Sequence, residues 1–294
     1  MVAKRSGFIS CIARNTGANF GAPLWTPIIR AKGIKGNRAP AGTPDTSDRQ
    51  VNVYTTIPTR KKISYEFDAD WDGGAGLTAL RTAFLARSAI DLAALDAQPG
   101  SSGTGYRGDW AVPLFSLDFP INGTQKLSTQ IVPHGNYTSG QAVAAYTDTV
   151  GAGTAETPGT KKLGRNASIN NSSGVPFTGI MDFKLNLEWA TWDASDRANV
   201  FERINMEQIK VSVEGTFIWD STEFADWATA FANETALDLY VLDGAYATTG
   251  SWGCHTDWAL TDFPKADELT DGQKVTFKLE PRGNFTTALA FLTI

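Results

Sequence analysis

Lys62-Ile63-Ser64-Tyr65-Glu66-Phe67-Asp68-Ala69-Asp70-Trp71-Asp72 decides the fold, because the chain writes it twice: 148 residues later stands Lys210-Val211-Ser212-Val213-Glu214-Gly215-Thr216-Phe217-Ile218-Trp219-Asp220. In the first copy Ile63, Tyr65, Phe67, Ala69 and Trp71 alternate with Ser64, Glu66, Asp68 and Asp70. A period of two predicts a strand with one buried and one wet face. The second copy keeps Val211, Val213, Phe217 and Trp219 on the buried side. A helix is expected after each strand, with Leu77, Leu80 and Phe84 on one stripe in the first copy and Phe224, Trp227 and Phe231 in the second, since residues three and four apart share a helix face. Asp72 and Asp220 stand where N-caps belong, and Asp220 with Glu223 has capping-box spacing.

Outward from this stretch the repeat continues in order. Ser47-Asp48-Arg49 returns as Ser195-Asp196-Arg197, Ala83-Phe84 as Ala230-Phe231, and Ile90-Asp91-Leu92 as Leu237-Asp238-Leu239. Asp109-Trp110-Ala111-Val112 returns as Asp257-Trp258-Ala259-Leu260, Gln125-Lys126 as Gln273-Lys274, and Pro133-His134-Gly135-Asn136-Tyr137 as Pro281-Arg282-Gly283-Asn284-Phe285. Self-similarity at a long period governs any fold assignment, and this one reads as a duplication. Upstream, Trp25-Thr26-Pro27-Ile28 answers Phe177-Thr178-Gly179-Ile180 at a spacing of 152, which implies a shorter stretch in the first copy or a different strand register. Three more strands are expected after each helix, at 89–97, 109–119 and 125–132 and again at 236–243, 257–263 and 273–280. The expected fold class is α+β and β-dominated: two tandem domains, each an antiparallel β-sandwich or rolled barrel with one flanking helix. The boundaries that follow are an arm at 1–21, a domain at 22–137, a Gly-, Ser- and Thr-rich linker at 138–174, and a domain at 175–294.

A chain of 294 residues suits two such domains. The only cysteines, Cys11 and Cys254, make neither a disulfide framework nor a ligand cluster. The apolar stretch before Arg14 is too broken for a secretory signal and no segment reaches membrane-spanning length, so a soluble protein made in a cytoplasm is expected. Residues 1–150 hold 15 Lys and Arg against 11 Asp and Glu, whereas 151–294 hold 11 against 20. Halves of opposite sign suit head-to-tail contacts between copies, and the acidic total argues against a nucleic-acid grip.

Motifs of chemistry are few. Asp68 to Gly73 opens like a calcium loop, but Ala79 holds the twelfth position, where a bidentate Glu belongs. Gly103 to Gly108 spells the dinucleotide fingerprint, yet a strand follows where a helix is required, so a flexible turn is expected. His134 and His255 are expected at the surface or in loops and form no triad. Trp192, Trp252 and Trp258 are the candidates for exposed aromatics, the remaining rings reading as core. No catalytic residue, cofactor or metal ligand is expected.

On Trp71-Asp72, Leu95-Asp96, Gly108-Asp109-Trp110-Ala111-Val112, Gly123-Thr124-Gln125-Lys126 and Pro133-His134-Gly135-Asn136-Tyr137, with their counterparts, the chain resembles the tail tube fold of siphophage major tail proteins. The resemblance implies a structural virion protein, assembled in the host cytoplasm, whose rings stack into a tail tube around a DNA-conducting channel. Members commonly carry one tube domain and form hexameric rings; this chain carries two, so the resemblance implies homotrimeric rings with pseudo-sixfold symmetry. Implied partners are further copies of the chain, the tape measure, terminator and distal tail proteins, and DNA in transient passage. Residues 35–48, the N-terminal arm and the linker are read as projecting segments between rings, with Lys35, Asn37, Arg38, Asp45 and Asp48 as contact candidates. Deleting 36–47 is expected to leave rings that do not polymerise. Glu66, Asp68 and Glu214, with Asp118 and Asp262, are candidates for a channel wall that repels phosphates. A baseplate hub or distal tail protein, and a tandem β-domain adhesin or carbohydrate-binding protein, stay open as alternatives.

Overall fold

Strands carry the fold in a computed structural model that describes residues 11–17, 23–28, 31–44, 56–96, 102–135, 142–149, 159–195, 201–218, 225–264, 272–283 and 287–294. In the first half these are β1 (Cys11–Asn15), β2 (Trp25–Pro27), β3 (Lys32–Pro44), β4 (Thr56–Asp70), helix α1 (Ala75–Ala86), β5 (Ile90–Leu95), β6 (Ser102–Phe119), β7 (Lys126–Pro133) and β8 (Ala144–Thr149). After a 3-10 turn at Gly164–Asn166 come β9 (Ser168–Asn171), β10 (Ile180–Asp193), β11 (Ile204–Ile218), α2 (Ala225–Ala232), β12 (Leu237–Leu242), β13 (Trp252–Asp262), β14 (Lys274–Pro281) and β15 (Ala290–Thr293). All strand pairs are antiparallel and belong to one sheet.

The pairings of the first half recur in the second. β5 meets β6 with Ile90 opposite Trp110, and β12 meets β13 with Leu237 opposite Trp258. β6 meets β7 at Trp110 and Pro133, β13 meets β14 at Trp258 and Pro281. The indole of Trp110 donates to the Leu92 carbonyl (2.9 Å), and that of Trp258 to Leu239 (3.1 Å). Both helices end on a left-handed residue, Arg87 (φ 51°) and Glu234 (φ 52°), with Ser88 N–H closing on Ala83 O and Thr235 N–H on Ala230 O, the backbone closure common at helix C-termini. Two glycines are demanded by close approach: a Cβ on Gly105 would lie 1.9 Å from the Ala94 carbonyl oxygen, and one on Gly253 1.8 Å from that of Val241.

Alternation fixes the core. Tyr65, Phe67, Trp71, Leu77, Leu80, Phe84, Phe115, Leu117 and Leu127 are buried in the first half, and Val213, Phe217, Trp227, Phe277 and Leu279 in the second, within one continuous apolar cluster. Complete burial of such side chains contributes about 1.5–3 kcal/mol each, so the cluster that spans both halves also holds them together.

Several expectations are corrected. Asp72 does not cap α1: the N-cap is Gly74, without a side-chain cap, and Asp72 Oδ1 accepts the Gly74 N–H (2.7 Å) in a turn through Gly73 (φ 67°) that delays the helix. Asp220 lies outside the described residues. The arm is not free, since β1 pairs with β5 and buries Ile12 and Ala13. The linker contains β8, paired with β6, and β9, paired with β12. Residues 103–108 form no turn; they lie within β6, with 105–107 paired to β5 on one side and β8 on the other. Ile28 N–H bonds Ile12 O as Phe177 N–H bonds Ile169 O, so the upstream segments correspond at a spacing of 149, not 152. No helix among the described residues is long and apolar enough to cross a membrane.

Candidate functional site

Residues opposite each other in register share a face of a sheet. The path β3-β4-β7-β6-β10-β11-β14-β13 is hydrogen-bonded throughout and crosses from the first half to the second at β6 and β10. One face of it is polar. Asp70 lies opposite Lys126, Lys126 opposite Asp118, Asp118 opposite Lys184, Lys184 opposite Glu214, Glu214 opposite Lys278, and Lys278 opposite Asp262. This row alternates in sign across seven strands without a break at the seam. Beside it runs a row with a lysine only at its β3 end: Lys32, Asp68, Ser128, Ser116, Asn186 and Ser212. Ser128 donates to Asp68 (2.6 Å) and Ser116 to Asn186 Oδ1 (2.7 Å). From β4 to β13 the opposite face is apolar and largely buried.

The carboxylate at one end of the charged row is held firmly. Lys161 Nζ (2.7 Å) and Lys32 Nζ (2.9 Å) both reach Asp70 Oδ2, and their hydrogen bonds and charge lower its pKa to about 2. At the other end Glu280, bonded to Lys278 at 2.8 Å, raises the lysine's pKa, with Glu214 and Asp262 adding to it.

The expected wall residues are placed together: Glu66, Asp68, Glu214 and Asp262 are exposed on this face, and Asp118 is half-buried on it. Their setting is balanced rather than acidic, because Glu66 faces Lys35 and Gln130 while Glu214 faces Lys184 and Lys278. Of the ring-contact candidates, Lys35, Asn37 and Arg38 stand in β3, not in a loop. Deleting 36–47 therefore removes most of a strand rather than a free projection. Asp45 and Asp48 lie outside the described residues.

At the seam, sequence reasoning missed the residues that matter. Asp243, 1% exposed, accepts from the Trp71 indole (2.7 Å), Lys162 Nζ (2.7 Å) and the Trp252 N–H (2.7 Å). Its carbonyl accepts from Gln125 Nε2 (2.7 Å), and Arg81 lies 5.1 Å over the Trp252 ring. On the other flank the Trp189 indole donates to Phe84 O (2.9 Å), its ring 5.8 Å from that of Phe84 and 5.4 Å from the Arg87 guanidinium. The repeat itself held the only clue: Asp96, the counterpart of Asp243, stays half-buried and accepts only from Thr104 among the bonds seen.

The histidines offer no nucleophilic pair. His134 is buried, against expectation, with Nε2 near Arg87 O (3.3 Å), and His255 bonds Asp238 (2.6 Å) and stacks on Tyr240. Trp192 is exposed, whereas Trp252 and Trp258 are buried. Among the described residues no group of three His, Cys, Asp or Glu could hold a metal ion. No family model matches this chain, and no curated protein matches it.

Proposed function

We propose that this protein is a structural subunit that joins head to tail into rings of three chains, and that stacked rings form a phage tail tube conducting DNA. The observation that carries the proposal is the unbroken polar face shared by the two halves. It runs through eight strands and ends on open edges: among the described residues β3 pairs only with β4, and residues 259–262 of β13 only with β14, the rest of β13 being paired with β12 and β15. Open edges invite pairing with another chain, and a head-to-tail contact closes into a ring where the rotation permits. One such joint exists already inside the chain, where β10 of the second half adds to the edge of β6.

In this proposal the polar face lines the channel. Tight phosphate binding needs uncompensated cations, and here each lysine of the long row stands between carboxylates. Such a wall lets DNA slide. The balanced charge takes the place of the repelling wall anticipated from Glu66, Asp68 and Glu214 alone. The tape measure, terminator and distal tail proteins would be the partners in a virion.

Negative-stain imaging of the purified protein over rising concentration tests the proposal. Long tubes with a stain-filled lumen are the expected result. Isolated rings at every concentration would replace the tube with a hub, and persistent small particles would replace it with a monomeric binding protein.

A further inference from the structure

The seam is assembled once within the chain, but its parts occur twice. In the first half, the end of α1 and the start of the loop after β7 form a recess that the far end of β10 and β11 fills. Trp189 covers Phe84, Arg87 Nη1 donates to Glu207 O (3.3 Å), and Gly135 N–H donates to Ile204 O (2.8 Å). In the second half the counterparts of Phe84, Arg87, His134 and Ser116 are Phe231, Glu234, Arg282 and Pro264, and these line an open groove of about 890 Å³. Phe84 is fully buried where Phe231 is only partly so.

The piece that fits is also duplicated. β3 and β4 pair as β10 and β11 do: Pro40 opposite Lys61 corresponds to Trp189 opposite Ile209, and Pro44 opposite Thr56 to Asp193 opposite Ile204. Even the register shift recurs, between Pro40 and Gly42 as between Trp189 and Thr191. Yet β3 and β4 lie at the far end of the eight-strand path from this groove. The other flank repeats the pattern in the same direction. Gln125, which bonds the Asp243 carbonyl, is fully buried, while its counterpart Gln273 is exposed; Asp96 is half-buried where Asp243 is enclosed.

We infer that the groove of the second half receives the β3–β4 pair of a second copy of this chain, with Gly283 N–H donating to the Thr56 carbonyl and Gln273 meeting the Asp96 carbonyl. The groove carries both signs, Glu234 where the first half has Arg87 and Arg282 where it has His134, so the shared register of the two strand pairs, not net charge, carries the match. The inference rests on the head-to-tail reading and adds the surfaces and the register by which it happens.

Cysteine pairing tests it in the full chain, whose own Cys11 and Cys254 are buried. Glu234→Cys with Thr59→Cys, the register counterpart of Glu207, should give covalent dimers and trimers with a bis-maleimide whose spacer spans an extended arginine side chain, the length that separates Arg87 from Glu207 in the inner joint. Glu234→Cys with Thr82→Cys, exposed on α1, should give none. Ala232→Arg, at an exposed position lining the groove, should raise the concentration for half-assembly at least tenfold in sedimentation velocity. Oligomers of the unaltered protein that neither cross-link through Glu234→Cys and Thr59→Cys nor weaken with Ala232→Arg would overturn this interface and leave the ring standing. A protein monomeric at all concentrations would overturn both.

Discussion

Asp243→Ala should destabilise the protein far more than Asp96→Ala, although the two aspartates hold equivalent places in the repeat. Removing the Asp243 carboxylate strands two buried donors, the Trp71 indole and the Trp252 N–H. Each unsatisfied buried donor costs about 1–3 kcal/mol. Lys162, its side chain 28% exposed, can turn toward water and adds less. The sum is about 4 kcal/mol, within the ~3–5 kcal/mol typical of breaking a buried ion pair. Among the described residues Asp96 accepts only from Thr104, at an exposed site, where water replaces the lost acceptor, so Asp96→Ala should cost under about 1 kcal/mol. Urea unfolding followed by tryptophan fluorescence, at concentrations where the protein is unassembled, measures both. Equal costs, or less than about 1.5 kcal/mol for Asp243→Ala, would refute the view that this carboxylate ties the halves together.

Asp70 gives a pH signature. Its folded pKa is lowered to about 2 against an unfolded value of about 3.9, so the stability it contributes is complete above about pH 4 and is lost as pH falls toward 2; acid titrations of stability should show this loss in the native protein and not in Asp70→Asn. Gly105→Ala and Gly253→Ala should each cost more than about 3 kcal/mol or abolish soluble expression, because the added methyl meets a backbone carbonyl that cannot step aside; thermal unfolding checks both. Burial pushes the Cys11 thiol up to about 11 and that of Cys254 up as well, so a disulfide-exchange reagent at pH 8 should titrate neither until denaturant is added.

The alternating apolar residues of β4 and β11 made the strands and their buried faces legible, since period-two burial needs no knowledge of the partner strand. What each strand pairs with was not legible. Asp118 and Lys184 are cross-strand neighbours, but nothing near either residue points to the other. β3 was obscured by Gly36, Pro40, Gly42 and Pro44, a composition that reads as a loop. It is a strand because it has one open edge, where a residue lacking an N–H breaks no ladder. Asp72 misled for a related reason: an aspartate before two glycines bonds its own turn first, and the helix waits. Asp96 and Asp243 follow the same Leu-Asp pattern in sequence, and only the neighbouring half makes one of them a buried anchor.

In the proposed ring, the differences between the two halves match the moment at which each joint would form. The joint inside the chain closes at the high effective concentration of tethered parts, so it can hold a large aromatic, and Trp189 sits there on Phe84. A joint between chains must stay soluble before it closes, and an exposed aromatic ridge would invite indiscriminate association. In the register of β3 the position of Trp189 belongs to Pro40, and that of Ile209 to Lys61. Across from them Arg87 gives way to Glu234. The outer joint of the proposed ring therefore lacks the apolar contact of the inner one and should be the weaker of the two. In the proposed ring the duplicated chain closes half the joints during folding and leaves the other half to concentration, which predicts that weakening the outer joint dissolves rings into folded monomers, while weakening the inner one unfolds the chain.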